Sequence, residues 1–149
     1  MNNEVKRILE AVRAGETTVD DALLKLKAAP FEDIGYAKVD LHRKVRQVAA
    51  EVIYGAGKTP EQIVGILSAM KRAGQDTILI TRLSPESAGA VARTHPLDYH
   101  TDARVAIVGD IPPADGLGTV VVATGGTSDM PVAEEAALTA QVLGSRVPR

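Results

Sequence analysis

The sequence predicts an α/β fold, and three observations carry that prediction. Short β-branched runs ("EVIYG", "TILIT", "RVAIVGD") alternate with segments of helical apolar spacing. The helices are announced by cap residues followed by proline. Near the end, "TVVVATGGTSDMPVAEEAALTAQVLG" runs from an apolar stretch through two glycines into a further helix.

The elements follow in order. Val5, Ile8, Leu9 and Val12 fall on one face of a first helix, and Gly15 is a fitting stop. Thr18 is placed to cap a second helix, with Asp21 three residues on and Ala22, Leu23 and Leu26 as its apolar face, closed by Pro30. These two helices form a hairpin too small to be stable alone. "GYAKVDLHRKVRQ" is short, basic and polar-alternating, and "EVIYG" is a strand. Thr59 at the cap, Pro60 at the first position and Gln62 at the third give the next helix a capping box. Its buried stripe is Ile63, Ile66, Leu67 and Met70, and Gly74 ends it. "TILIT" is a strand, "SPESAGAVARTH" a helix capped by Ser84 with Pro85 inside it, and "YHTDARVAIVGD" carries one last strand. Strand, helix, strand, helix, strand implies parallel pairing. "IPPADGLG" reads as a linker, giving a first domain over residues 1–110, a linker over 111–118 and the start of a second domain over 119–149. That last piece is a single βα unit whose strand is expected to be buried. A parallel strand is covered on both faces, so the unit must pack on the first domain, on another chain or on further sequence.

Composition narrows the function. A net charge of −2 gives no electrostatic footprint for nucleic acid, and 3% aromatic content gives no base-stacking surface. The chain has no cysteine, so it holds no disulfide, thiolate nucleophile or cysteine-ligated metal. The charged N-terminal helix is unlike a signal peptide, and no apolar run reaches the ~18 residues of a membrane span. A cytoplasmic, membrane-free protein is expected.

The residues that can carry chemistry cluster at turns. Gly125 and Gly126 lie where strand meets helix, so free N–H groups and the helix dipole converge there. Thr127 and Ser128 add hydroxyl donors. Asp129 is either the helix cap or a free carboxylate at the mouth of a site. The whole turn is a cradle for phosphate or carboxylate; the plain alternative is an ordinary strand-to-helix turn. Glu134 and Glu135 read as exposed stabilisers of the first helical turn. In "YGAGKT" the spacing departs from a Walker loop, since Val52 stands where the first glycine belongs. Lys58 at a helix start remains a phosphate contact or, more plainly, a solvated lysine. Lys38, His42, Arg43, Lys44 and Arg46 surround Asp40 and form a basic subsite or a solvated face. His95, Asp98, His100 and Asp102 match no familiar metal spacing, and no metal site is expected. No G-x-S-x-G elbow is present.

Two separated stretches, "FEDIGYAKVDLHRKVRQVAAEVIYGAGKTPEQI" at residues 31–63 and "ATGGTSDMPVAEEAALTAQVLG" at 123–144, together resemble the LarB family. That family is related to aminoimidazole ribonucleotide carboxylase, PurE, and was earlier described as circadian-phase-modifier-like. The resemblance implies an N-terminal α/β domain followed by the first βα unit of a PurE-like, flavodoxin-like doubly wound parallel sheet, so that the chain is an N-terminal portion. It implies a carboxylase and hydrolase of nickel-pincer nucleotide synthesis. The substrate is nicotinic acid adenine dinucleotide, the co-substrate CO2 or bicarbonate, and AMP is released, with Mg2+ on the substrate phosphates and a homo-oligomeric assembly. Ser128 and Asp129 match catalytic positions of the PurE-like loop. Gly125, Gly126 and Thr127 are expected to bind substrate in the same loop, and Lys58, Asp40 and Arg43, at patterned positions of the family's first domain, become candidates for contacting the dinucleotide. The family's cysteine nucleophile has no counterpart here, so this chain alone is not expected to turn over. Two rival readings are a nucleotide-binding module without catalysis and a PurE-type aminoimidazole ribonucleotide carboxylase. The long first domain, which the purine enzyme lacks, weighs against the second.

Overall fold

In a computed structural model the chain is described over residues 3–28, 31–33, 35–36, 38–40, 52–116 and 118–148. Two helices lead, α1 (Asn3–Arg13) and α2 (Val19–Ala28), joined through Gly15 at φ +73°. The Asp21 amide donates to Thr18 Oγ1 at 3.0 Å, so Thr18 caps α2 as its sequence position predicts. Ala22 is buried at this hairpin, while Leu9, Leu23 and Leu24 stay exposed. A short antiparallel pair follows, β1 (Phe31–Asp33) with β2 (Lys38–Asp40), in a segment for which the sequence suggested no element.

The centre is a four-stranded sheet of order β3-β4-β6-β5. Its strands are β3 (Val52–Tyr54), β4 (Ile78–Thr81), β5 (Asp98–His100) and β6 (Val105–Val108). Between β3 and β4 runs α3 (Pro60–Arg72), and between β4 and β5 runs α4 (Pro85–Ala92). The capping box on α3 is complete: Thr59 N–H donates to Gln62 Oε1 at 3.0 Å and Gln62 N–H to Thr59 Oγ1 at 3.3 Å. Ser84 accepts from the Ser87 amide at 3.2 Å and starts α4.

The sheet is mixed, which corrects the all-parallel expectation. β3 and β4 are parallel, as the α3 crossover requires, but β6 is antiparallel to both β4 and β5. The reason lies in "YHTDARVAIVGD", which holds two strands rather than one. Residues 101–104 turn tightly, with the Arg104 amide donating to Thr101 O at 3.3 Å, and make β5 and β6 a hairpin. Tyr99 ties this hairpin to the β4 loop by donating its hydroxyl to Leu83 O at 2.9 Å.

Both faces of the sheet are covered. On one, Ile53, Ile78, Ile80, Ala106 and Val108 pack against Ile63, Leu67 and Met70 of α3 and Val91 of α4. On the other, Leu79, Val105 and Ile107 pack against Leu138 and Val142 of the last helix, α5 (Met130–Val142). Strand side chains alternate between faces, so consecutive apolar residues of β4 and β6 feed two separate cores.

The segment ahead of α5 differs from the expected buried strand. Thr119 makes one parallel bridge with Arg146, and the Val120 amide donates to Arg146 O at 2.8 Å. Among the described residues no ladder forms beyond that, and Val121 is 74% exposed. The β-branched residues suit a strand, but a strand needs a free edge beside it. Here α5 lies across a face of the sheet, and residues 115–116 and 119–120 follow the chain just past α5: the Asp115 and Gly116 amides donate to Gly144 O at 3.0 and 3.1 Å.

Leu138→Ala leaves a hole over Leu79, Val105 and Ile107 and is expected to lower stability by about 2–5 kcal/mol in urea denaturation. A loss under about 1 kcal/mol contradicts α5 as the cover of that face. Burial holds the Tyr99 hydroxyl protonated above the usual tyrosine range, against the pull of Arg104. Its folded pKa is raised, so its contribution to stability is intact below the unfolded tyrosine pKa and is lost as pH rises through the raised value. In an absorbance titration, Tyr99→Phe removes a step lying above the usual tyrosine range; an unchanged high-pH step contradicts this.

Candidate functional site

The carboxyl ends of β3 and β4, the parallel pair, open onto loops held very close together. The Gly55 amide donates to Thr81 O at 2.7 Å. A Cβ on Gly55 would lie 3.0 Å from Thr81 O and 3.4 Å from Arg82 O, so glycine is what lets the loops approach. The β3 loop then turns through Gly57 at φ +77°, and the Lys58 amide donates to Gly55 O at 3.1 Å. Lys58 is half-buried on this loop, just before the α3 cap.

The β4 loop carries Arg82 at φ 54°, and the β5–β6 turn carries Arg104 at φ 52°. These are left-handed conformations that cost a residue with a Cβ about 1–2 kcal/mol. Among the described residues no other non-glycine residue has a positive φ. The Leu83 amide donates to Arg104 O at 2.8 Å, which locks the two turns side by side. Both arginines line a cavity of about 520 Å³, with Tyr54 at the end of β3, Ala56 from the β3 loop, and Pro131 and Glu135 from α5. Arg82 Nε donates to Glu135 Oε2 at 2.9 Å, and the Glu135 side chain is only 20% exposed. Glu135 thus joins α5 to the β4 loop, which corrects its expected role as an exposed first-turn stabiliser. The charges lining the cavity balance, Arg82 and Arg104 against Glu135 and Asp102. Glu86 is held below the usual carboxylate range by its own amide and the Ser84 hydroxyl, and the Arg104 charge adds to that.

The glycine-rich turn adjoins the cavity through Pro131. Gly125, Gly126, Thr127, Ser128 and Asp129 are all exposed. Thr127–Asp129 form one 3-10 turn, with the Asp129 amide donating to Gly126 O at 3.1 Å. Asp129 stands at the cap position but with helical backbone angles, φ −90° and ψ −12°, and its side chain caps nothing. Instead Asp129 Oδ2 accepts from Thr124 Oγ1 at 3.4 Å. Of the two roles open to Asp129, the helix cap is the one not taken.

The other sequence-derived residues are placed unevenly. Lys58 sits two residues beyond Ala56, outside the cavity lining. Asp40 ends β2 opposite Phe31. Arg43, with His42, Lys44 and Arg46, lies outside the described residues. The two C-terminal histidines go to separate partners. His95 Nε2 is 3.4 Å from Ser68 Oγ, while His100 Nε2 is 3.2 Å from Asp98 Oδ2 without hydrogen-bond geometry. Among the described residues no three His, Asp or Glu side chains gather as a metal site. Nor is any described helix long and apolar enough to cross a membrane. Sequence reasoning missed Tyr54, Arg82 and Arg104. Nothing in a periodicity marks an arginine that will adopt a left-handed turn.

Comparison with known proteins bears on this arrangement. The family model described as the LarB/PurE-like N-terminal domain matches residues 31–110, which include β3, α3 and both arginine turns. An uncharacterized protein of Methanocaldococcus jannaschii is 28% identical over 151 aligned positions, covering 97% of this chain and 59% of that protein. The chain thus spans 59% of the length of this curated relative. With more than half of its residues inside the family match, the chain belongs to the LarB/PurE-like N-terminal domain family.

Proposed function

We propose that this chain is the N-terminal part of a LarB-type carboxylase and hydrolase. The full protein would carboxylate the pyridinium ring of nicotinic acid adenine dinucleotide and cleave its phosphoanhydride to release AMP. The observation that carries this reading is the family match over residues 31–110, together with a glycine-rich turn seated beside a cavity at the strand ends. Family membership alone gives a carboxylase-related lineage; the substrate is the further step.

A pyridinium ring is electron-poor and takes up CO2 only after a nucleophile has added to it. That nucleophile lies outside this chain, which has no cysteine, so the chain alone is inactive on this reading. What these residues supply is positioning and charge. The exposed Gly125–Gly126 backbone and the hydroxyls of Thr127 and Ser128 face solvent at the start of α5, where they can donate to a nascent carboxylate. Asp129, whose side chain caps nothing, is free to accept the ring proton after the new carbon–carbon bond has formed, and departure of the added nucleophile then restores the aromatic pyridinium. Lys58, on the loop locked under Thr81, contacts the substrate phosphates. Any Mg2+ would bridge the substrate phosphates, with one or two carboxylates completing its shell.

In the full-length protein, Asp129→Asn is expected to cut incorporation of labelled bicarbonate by about 10²-fold or more. Unchanged incorporation removes Asp129 from the chemistry. In calorimetric titrations of this chain with nicotinic acid adenine dinucleotide, Lys58→Ala is expected to weaken binding about tenfold, or ~1.4 kcal/mol. An unchanged affinity rules out the phosphate contact.

A further inference from the structure

We propose that the helical hairpin α1–α2 is a self-association surface, on which two copies of this chain pack hairpin to hairpin as a two-fold four-helix bundle. The hairpin lies ahead of residues 31–110, so neither the family match nor the proposed carboxylation involves it.

The hairpin has little to hold it. α1 has 11 residues and α2 has 10, below the ~12–15 at which an isolated helix is even marginal in water. Among the described elements the two pack mainly on each other. Of their described side chains Ala22 alone is buried. Leu9 is 56% exposed and Leu23 46%, and Val19 and Leu24 are exposed as well. Single exposed leucines are ordinary, but four large apolar residues on one small hairpin mark a surface that lacks its cover. Three of the four share a side. Val19 and Leu23, four residues apart, lie on one face of α2. Leu9 and Leu23 are equidistant from the turn at Glu16, so the antiparallel hairpin sets them at one level.

The charges select a second copy as the cover. Arg13 lies four residues past Leu9 on the same face of α1, and Asp20 three residues before Leu23 on α2. Neither makes an ion pair among the described residues, whereas Lys6 is held by Glu10 at 3.8 Å and Asp21 by the Thr18 hydroxyl at 2.8 Å. A two-fold axis parallel to the helices lays α1 antiparallel against the partner's α2. Leu9 then meets the partner's Leu23, and Arg13 the partner's Asp20, and each contact occurs twice. One surface supplies both members of each pair, which is what an isologous interface requires. The ion pairs stand at a wet rim, so they direct the pairing more than they strengthen it. Helices of about 16 Å give a contact below the ~1,600 Å2 of standard interfaces, so the association is reversible and concentration-dependent.

The test is sedimentation equilibrium of this chain across the micromolar range. A reversible monomer–dimer equilibrium is expected. Leu9→Glu or Leu23→Glu should weaken it about tenfold or more while the thermal unfolding of the sheet domain stays as it was. Arg13→Asp and Asp20→Arg should each weaken it about threefold, and the double variant should recover the original association, because the pair is only reversed. The chain has no cysteine, so Leu9→Cys and Leu23→Cys chains can be mixed under oxidising conditions. The mixed disulfide should form faster than either variant's disulfide with itself. A monomer at every concentration overturns the proposal. So does association indifferent to Leu9 and Leu23, a double charge variant no better than the single ones, or cross-linking without preference for the mixed pair. Leu9 and Leu23 shielded from solvent in the full-length protein, with this chain monomeric, assigns the hairpin's cover to further sequence instead of a second copy. None of these outcomes depends on whether the protein carboxylates a pyridinium.

Discussion

Everything at the candidate site depends on the packing of Leu138 and Val142 of α5 against Leu79, Val105 and Ile107. The central strands are apolar on both faces, and α3 and α4 cover only one. Without α5 the second face would stand in water, at roughly 25 cal/mol per Å2 of apolar surface. Closing that face also brings the start of α5, with Pro131 and Glu135, over the β4 loop. The Arg82–Glu135 pair then fixes the register of the helix; it is partly exposed, so it contributes direction more than stability.

Legibility in the sequence followed the range of the interaction. Local signals were read well. The Thr59–Gln62 capping box, the Ser84 cap and the buried stripe of α3 depend on residues within one or two turns of each other. Pairing was read less well. The β5–β6 hairpin hid in a polar run because its turn uses Asp102, Ala103 and Arg104 rather than Asn-Gly or Asp-Gly. The stretch from Thr119 has the composition of a strand, but composition does not say whether an edge is available. Asp129 shows a similar limit: sequence left cap and free carboxylate open, and only the backbone angles decide. The Arg82 and Arg104 cavity was invisible for a further reason. Residues 22 positions apart meet through the β4–β6 register, and their shared left-handed conformation leaves no mark in composition.

The site joins two parts of the chain. Residues 31–110 match the LarB/PurE-like N-terminal domain, while the glycine-rich turn and α5 lie beyond that match. The relative in Methanocaldococcus jannaschii aligns with 97% of this chain, so its similarity runs through both parts. The cavity is walled by the β3 and β4 loops on one side and by α5 on the other, so both parts of the chain line it.

Amide hydrogen exchange of this chain with and without nicotinic acid adenine dinucleotide tests that joint site most directly. Peptides spanning residues 55–59 and 126–132 should gain protection together, with the same dependence on ligand concentration. Protection confined to one of them, or at neither under saturating ligand, would contradict a site built from both parts.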